Sequence, residues 1–373
     1  MVYLFGQSLH LHQTLDEKMM VIKSTAKYLM LIFWMISFQY ITTLVHSENK
    51  QVQFFSEVSG IFPNNNYYQY CIPFIKKKTF STKRDLTLTS VFYKEKNVPL
   101  TLFSIRQSGC MATIVVLTNK GMKFSRQTIK IINCLSVKVV SSDVTGFKKR
   151  HTDFIRDEFA CNFVKKFQKD IDRVFFFDAF DVFFERDPFE HFVGDHLFLF
   201  QESLLTIKED PYDLKWMRDC YGQEETEKYW NNYFVCSGTI AGSASMFIRF
   251  FELLQSQKSW IDPNCGVDQG QLNYAIYSGL LTKNNISLVL FDHVGPVHTL
   301  NCAIKHFKYY WNNTRYVYVT NAKDEVASVL HQVKQQKKLH AGLYARCNFT
   351  VINNICQGDY KTIKLFEEMN LSN

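Results

Sequence analysis

The stretch that decides the fold is Arg173-Val-Phe-Phe-Phe-Asp178-Ala-Phe-Asp181-Val-Phe-Phe-Glu-Arg-Asp187-Pro188-Phe189. A bulky apolar run stops at an aspartate, a second aspartate follows three residues later, and a Pro-Phe pair closes the unit. Val174 to Phe177 reads as a strand buried on both faces. In open α/β sheets, ligands bind just beyond the carboxyl ends of such strands. Asp178 and Asp181 therefore fall where a ligand would sit, in surroundings too apolar for carboxylates without partners. Two carboxylates this close repel unless a positive charge lies between them. Mn²⁺ or Mg²⁺, hard ions that prefer oxygen ligands, would supply that charge. The competing reading of the pair is a turn followed by a helix N-cap.

Working outward, Met111-Ala-Thr-Ile-Val-Val-Leu-Thr118-Asn119 has a buried-strand pattern that ends in polar residues. Thr128 to Leu135 carries apolar residues at helical spacing, and Val137 to Val140 is a further short strand. This βαβ order implies a parallel sheet. Phe159, Phe163, Phe167 and Ile171 then recur every fourth residue, the mark of a helix with one apolar face. That helix delivers the chain to the strand ending at Asp178, which the sequence makes the third of an alternating α/β array. The layout suits a nucleotide, yet no Gly-x-Gly-x-x-Gly or Walker A loop is present to cradle phosphates. A bound diphosphate would have to be held by a metal and by basic side chains.

The chain has 373 residues and a hydrophobic fraction of 46%, enough for one large α/β domain or two smaller ones. Its 34 Phe and 19 Tyr suit strand-rich cores. The net charge of +8 is dispersed. The clusters at Lys76, Lys77 and Lys78 and at Lys334, Lys337 and Lys338 read as solvated surface, and nothing resembles a nucleic-acid module. Tyr28 to Val45 is an uncharged, apolar segment of 18 residues preceded by Lys18, Lys23 and Lys27. It predicts a signal-anchor helix, with residues 1–27 a cytosolic tail and the remainder lumenal; the alternative is a cleaved signal peptide and a secreted protein. Ten cysteines follow that segment, so some disulfides are expected without a deducible pairing. Sequons at Asn285, Asn312, Asn348 and Asn370 are compatible with such a location. Residues 46–108 read as a stem or N-terminal elaboration ahead of a domain over 109–373.

The strand, the Asp178-Ala-Phe-Asp181 pair and Asp187-Pro188-Phe189 together resemble the metal-binding motif of GT-A glycosyltransferases. The usual form of that motif is Asp-x-Asp, and the Asp-x-x-Asp spacing here is closer to that of the glycosyltransferase domain of lysyl hydroxylases. Cys236-Ser237-Gly238-Thr239-Ile240-Ala241-Gly242 resembles the Asn-Ser-Gly-x-x-x-Gly segment of such enzymes, with Cys236 in place of the usual Asn. Val267-Asp268-Gln269-Gly270-Gln271-Leu272-Asn273 is similar to the Asp-Gln-Gly-x-Leu-Asn segment of glycogenin-like transferases. The pieces stand in the family's order over about residues 110–332.

The resemblance implies a Rossmann-like mixed sheet flanked by helices, behind the membrane anchor. It also implies a third metal ligand, a His near the end of a late strand. His331, in a shortened His-Gln pattern, is the first choice, His298 the second, and His293 lies nearby. A nucleotide-sugar donor, foremost a UDP-sugar, would bind through the metal held by Asp178 and Asp181, and Asp178 would reach the metal or the ribose. Thr118, Asn119 and Arg156 are expected to contact the donor, and Ser237 and Gly238 to shape the sugar pocket. Asp268 and Gln269 are expected to meet the transferred sugar or the acceptor hydroxyl, although Asp268 also suits a plain N-cap. Hexosyl transfer with retention of configuration is implied, in the Golgi or ER, onto a glycan, protein or lipid. The alternative is a lumenal or surface protein that kept the fold without the reaction. A phosphatase of the haloacid-dehalogenase type is disfavoured, because it needs Asp-x-Asp.

Overall fold

The Phe-rich run is the strand β4 (Arg173–Asp178), and its alternation explains why the whole run is apolar. Phe175 and Phe177 stack at 5.6 Å on one face, with Phe192 beyond at 5.5 Å from Phe175. On the other face Phe176 meets the edges of Phe247 and Phe251. Each such ring, fully buried, stabilises the fold by roughly 1.5–3 kcal/mol. The computed structural model describes residues 78–95, 97–144, 152–262, 264–265, 267–301, 304–312, 315–347, 356 and 365–369. The expected tail, the apolar segment 28–45, Cys71, Cys302 and the sequons at Asn348 and Asn370 lie outside them. Among the described residues no helix is long and apolar enough to cross a membrane.

The described chain runs β1 (Leu86–Val91), α1 (Val98–Gln107), β2 (Thr113–Asn119), α2 (Arg126–Cys134), β3 (Lys138–Ser142), α3 (Thr152–Lys166), β4 and β5 (Val182–Phe184). It continues through β6 (Leu197–Thr206), α4 (Pro211–Tyr221), β7 (Tyr233–Ser243), α5 (Ala244–Gln255), α6 (Asp268–Tyr277) and β8 (Leu288–Phe291). Then come β9 (Val297–Thr299), β10 (Phe307–Asn312), β11 (Tyr316–Asn321), β12 (Val329–His331), α7 (Lys337–Arg346) and β13 (Leu365–Met369). The main sheet has eight strands in the order β13-β3-β2-β1-β4-β7-β6-β8. The pairs β2–β3, β1–β2 and β1–β4 are parallel, and β7 runs antiparallel to both β4 and β6. The protein is thus an α/β fold with a large mixed sheet flanked by helices, as expected.

One expectation is corrected. Leu86–Val91, assigned by sequence to a stem, is the strand between β2 and β4 in the middle of the sheet. Asp178 therefore ends the fourth strand of the described chain, not the third, and the domain begins before residue 109. Two threonines disguised β1. Thr87 and Thr89 are fully buried, and their hydroxyls donate to the carbonyls of Thr113 and Phe177. The α3 helix also ends earlier than its spacing suggests, so Phe167 and Ile171 are buried beyond its last turn.

A second sheet, β5-β12-β9, sits beside the carboxyl edge of the first. Its β12 strand pairs antiparallel with β5 and parallel with β9. The α7 helix is pinned to it by Arg346, whose guanidinium donates to both oxygens of Glu185, the residue after β5, with each side chain 2% exposed. Asp187 is likewise structural, since its carboxylate caps Phe189 N–H and accepts from the N–H groups of Phe80 and Ser81. Two disulfides, Cys134–Cys356 and Cys220–Cys265, cross the described chain, while Cys110, Cys161 and Cys236 are buried free thiols. Arg346→Ala, which strands the buried Glu185 carboxylate, is expected to cost about 3–5 kcal/mol. Urea unfolding of the variant beside the parent chain measures it.

Candidate metal centre

The β4 strand ends at Asp178, and the turn through Ala179 and Phe180 brings the chain to Asp181 just ahead of β5. His331 lies opposite Val182 in the small sheet, so it meets Asp181 from the neighbouring strand. Gln332 then takes a left-handed backbone (φ 59°), uncommon outside glycine, and turns the chain so that Val333 N–H donates to the Asp181 carbonyl. The result gathers Asp178, Asp181 and His331, with potential ligand atoms all within 4.8 Å of one another. His331 Nε2 is 3.8 Å from Asp178 Oδ2 and 3.8 Å from Asp181 Oδ1.

Those separations are too long for hydrogen bonds. Nε2 of His331 and Oδ1 of Asp181 are both buried without any hydrogen-bond partner. Unmet buried polar atoms are costly and call for an explanation. Two ligand atoms each about 2.1 Å from Mn²⁺ or Mg²⁺ can be at most about 4.2 Å apart, and both His331–aspartate pairs, at 3.8 Å, meet that limit. Two carboxylate oxygens and an imidazole suit such an ion. The residues therefore fit a divalent metal.

Electrostatics divide the two aspartates. Burial opposes the charge on Asp178, but Arg156 and His331 outweigh it and hold its carboxyl below the usual range. Burial, reinforced by the like charge of Asp178 against the pull of His331, raises Asp181. Burial alone would lower His331, but the two carboxylates raise it. Lys334, assigned by sequence to a solvated surface cluster, instead brings Nζ to 3.8 Å from Asp181 Oδ2.

Arg156 projects from α3 into this site. Its guanidinium donates to Asp178, to Asp268 Oδ2 (2.9 Å), to the Ser237 carbonyl (3.1 Å) and to Asp157 Oδ1 (3.1 Å). Asp268 is no N-cap; it opens α6 and accepts from Ser237 Oγ as well as from Arg156. Burial, opposed by Arg156, pushes its carboxyl up to about 6. Gln269 accepts from Ser237 N–H and donates to Glu202 and Asp213 at 3.0 and 2.9 Å. Gln332 donates to the other oxygen of Glu202, so Glu202 joins β6, α6 and the end of β12. Asn273 fastens α6 to β7, exchanging hydrogen bonds with the N–H and carbonyl of Val235.

Cys236 fills the position where the resembled segment has Asn. Its Sγ lies 3.7 Å from His331 Nδ1 and accepts the Gly238 N–H at 3.4 Å. Burial, followed by nearby Glu202, pushes its thiol well up, so the sulfur stays protonated. For His331 to offer a lone pair at Nε2 its proton must sit on Nδ1, facing that sulfur. Gly238 is required for close approach: a Cβ there would lie 2.7 Å from Asp178 Oδ2 and 2.8 Å from His331 Nε2.

The cluster opens onto two cavities that share Asp178, Asp181 and Lys334. One, about 220 Å³, is walled by Ser90, Phe92, Asp153, Arg156 and Phe180. The other, about 330 Å³, is walled by Glu202, Tyr212, Trp216, Ser237, Gly238 and Gln269. Of the expected site residues, Asp178, Asp181, Arg156, Ser237, Gly238, Gln269 and His331 come together here. Asp268 stands behind Ser237 and lines neither cavity. Thr118 and Asn119 also line neither: Thr118 donates to the Val91 carbonyl, and Asn119 accepts from Tyr93 N–H.

His298 is corrected as a metal ligand. It pairs with Leu330, one residue from His331 along the strand, and so points to the opposite face. There it packs against Phe307 at 4.9 Å, and burial pushes its pKa down to about 4. His293 is also remote from the aspartates and belongs to a separate cavity. Glu202, Gln332 and Lys334 are site residues that the sequence reading did not select; the only signal for the last two was adjacency to His331. No protein-family model matches the chain, nor does any curated protein sequence.

Two outcomes follow from this geometry. Gly238→Ala pushes a methyl group into the Asp178–His331 gap and should weaken Mn²⁺ binding by at least the roughly 10- to 100-fold typical of damage around a metal shell. Calorimetric titration with Mn²⁺, alongside circular dichroism to verify folding, reads this. The second concerns Asp213, which burial and then Glu202 push up to about 8. Its folded pKa is above its unfolded value near 4, so the folded state binds the extra proton between those limits. Stability conferred by the protonated form is then lost as pH rises from about 4 to about 8. Asp213→Asn, neutral throughout, should gain melting temperature relative to the parent chain as pH is raised across that window; a constant difference would contradict the assignment.

Proposed function

We propose that this protein is a metal-dependent glycosyltransferase of the GT-A type, moving a sugar from a nucleotide-sugar donor to an acceptor in the secretory pathway. The observation that carries the reading is the Asp178–Asp181–His331 cluster, in which Asp181 and His331 are buried and Asp178 is partly exposed. Asp181 Oδ1 and His331 Nε2, neither with a hydrogen-bond partner, lie 3.8 Å apart at the carboxyl edge of a mixed α/β sheet, between two cavities. Mn²⁺ bound there supplies charge neutralisation and Lewis acidity to a departing diphosphate. The two disulfides are compatible with a lumenal location.

The chain's own residues divide the remaining work. Arg156 keeps Asp178 ionised and fixes its orientation, while His331 and Asp181 complete the grip from the small sheet. Lys334 adds a positive charge beside the position of the departing phosphate. The cavity beside Phe92 and Arg156 takes the nucleotide, with Phe92 offering an aromatic surface to the base. The cavity bounded by Ser237, Gly238 and Gln269 takes the sugar. Asp268, tied to Arg156 and Ser237, positions those groups. A UDP-hexose is the donor we favour.

A thermal-shift screen of the full chain in detergent, with UDP-, GDP- and CMP-sugars and with or without Mn²⁺, tests the proposal. A donor at 100 times its Kd stabilises the fold by about 2.7 kcal/mol. The expected result is a rise in melting temperature that requires one nucleotide class and Mn²⁺ together and vanishes in Asp181→Asn. No shift with any combination in a folded sample would overturn the transferase reading in favour of a protein that has the fold alone.

A further inference from the structure

The 330 Å³ cavity at the metal cluster has an aromatic wall that the transfer chemistry leaves unused. Helix α4 supplies it with Tyr212 and Trp216, four residues apart and so one above the other on a single helix face. Their ring centroids are 6.1 Å apart; Tyr212 is 67% exposed and Trp216 partly exposed. The helix packs through other residues, since its buried positions are Asp213 and Met217. Three ties fix it in place. Asp210 caps the first turn by accepting the N–H groups of Tyr212 and Asp213. At Gly270 the backbone of α6 comes so close that a Cβ would lie 2.8 Å from the Trp216 carbonyl oxygen. The Cys220–Cys265 disulfide holds the last turn to the segment ahead of α6. A helix anchored in this way presents its rings already positioned, which lowers the ordering cost of binding.

The polar groups beside the rings narrow the ligand. Beyond the metal-binding aspartates the cavity is lined by Glu202, Asp210 and Asp213, against one lysine, Lys334, that is turned to Asp181. An anionic ligand is repelled by that wall. A cation is not required either. Glu202 accepts an amide hydrogen on each oxygen, from Gln269 and Gln332, and Asp210 accepts from the helix. Asp213, pushed up to about 8 by burial and then by Glu202, is largely neutral at pH 7. The remaining lone pairs of these groups suit hydroxyl donors. A hydrocarbon chain would strip them of water and return no hydrogen bond. A peptide strand would bring a carbonyl oxygen with every N–H, and a carbonyl has nothing to donate to a carboxylate. A pyranose ring meets both walls: its C–H face packs on an aromatic ring while the hydroxyls at its rim donate sideways.

We propose that Tyr212 and Trp216 are the platform of the acceptor subsite, and that the acceptor is the uncharged end of a glycan, stacked on these rings with its hydroxyls donating to Glu202 and Asp213. Calling this ligand the acceptor rests on the transferase reading; the saccharide platform itself does not.

The test uses the full chain in a detergent without a sugar headgroup, with and without UDP and Mn²⁺. The probes are arrayed neutral glycans ending in glucose, galactose, mannose or N-acetylglucosamine, their sialylated forms, and an oligolysine peptide. At least one neutral glycan should bind saturably, and neither its sialylated form nor oligolysine should. Tyr212→Ala, an exposed change, should weaken that binding about tenfold or more. Trp216→Ala should abolish it and Trp216→Phe, which keeps a ring, should retain most of it, with circular dichroism verifying the fold of each. No binding of any neutral glycan, binding of oligolysine in their place, or unchanged affinity in both alanine variants would overturn the platform. The donor thermal shift on the same sample separates the two readings. A shift without glycan binding overturns this subsite alone; glycan binding without a shift overturns the transferase and leaves a saccharide-binding platform.

Discussion

One buried guanidinium organises the carboxyl edge of the sheet. Arg156 meets Asp157 on its own helix, Asp178 at the end of β4, Asp268 at the start of α6 and the Ser237 carbonyl on β7. Asp157 and Asp268 are buried and Asp178 is partly exposed, and buried carboxylates of this kind would be very costly unpaired. A lysine in the same place would offer a point charge, whereas the planar fork of arginine reaches several acceptors in fixed directions. Strand, helix and ligand geometry at this edge are therefore set by the same residue. Its aliphatic and planar parts are accommodated by Phe176, whose ring lies 5.1 Å from the guanidinium carbon.

That arrangement leaves the aspartate pair unequal. Asp178 has its cation built in. Asp181 has only His331 and the partly exposed Lys334, each 3.8 Å away, and one of its oxygens is buried without a partner. The fold thus neutralises one carboxylate internally and leaves the other for a positive group from outside. Around them a second tier of amides does the positioning: Gln269, Gln332 and Asn273 hold Glu202, Ser237 and the strand β7 in register.

Legibility in the sequence followed how local each signal is. The strand β4 and its two aspartates were readable because a strand buried on both faces writes a continuous apolar run, which a carboxylate then interrupts. Arg156, Ser237, Gly238 and Gln269 were reached through ordered resemblance, and the structure brings them together. Leu86–Val91 was missed because its buried threonines imitate an exposed face while bonding to neighbouring carbonyls. His298 and His331 could not be separated by composition. Strand pairing decides between them, since one register step turns a side chain to the other face. Glu202 was invisible because its partners Gln269 and Gln332 lie 67 and 130 residues away.

The small sheet gives the centre a topological meaning. Asp178 belongs to the main sheet, whereas His331 belongs to β12 of the second, and some 150 residues of chain separate them (331 minus 178). An ion shared between them is a cross-link that closes a very long loop, the kind of clip whose effect on chain entropy grows with loop length. Because such an ion binds the assembled site and not the unfolded chain, its affinity is folding free energy. The junction between the two sheets would then be a metal-dependent seam, tightest when loaded and first to part under a chelator.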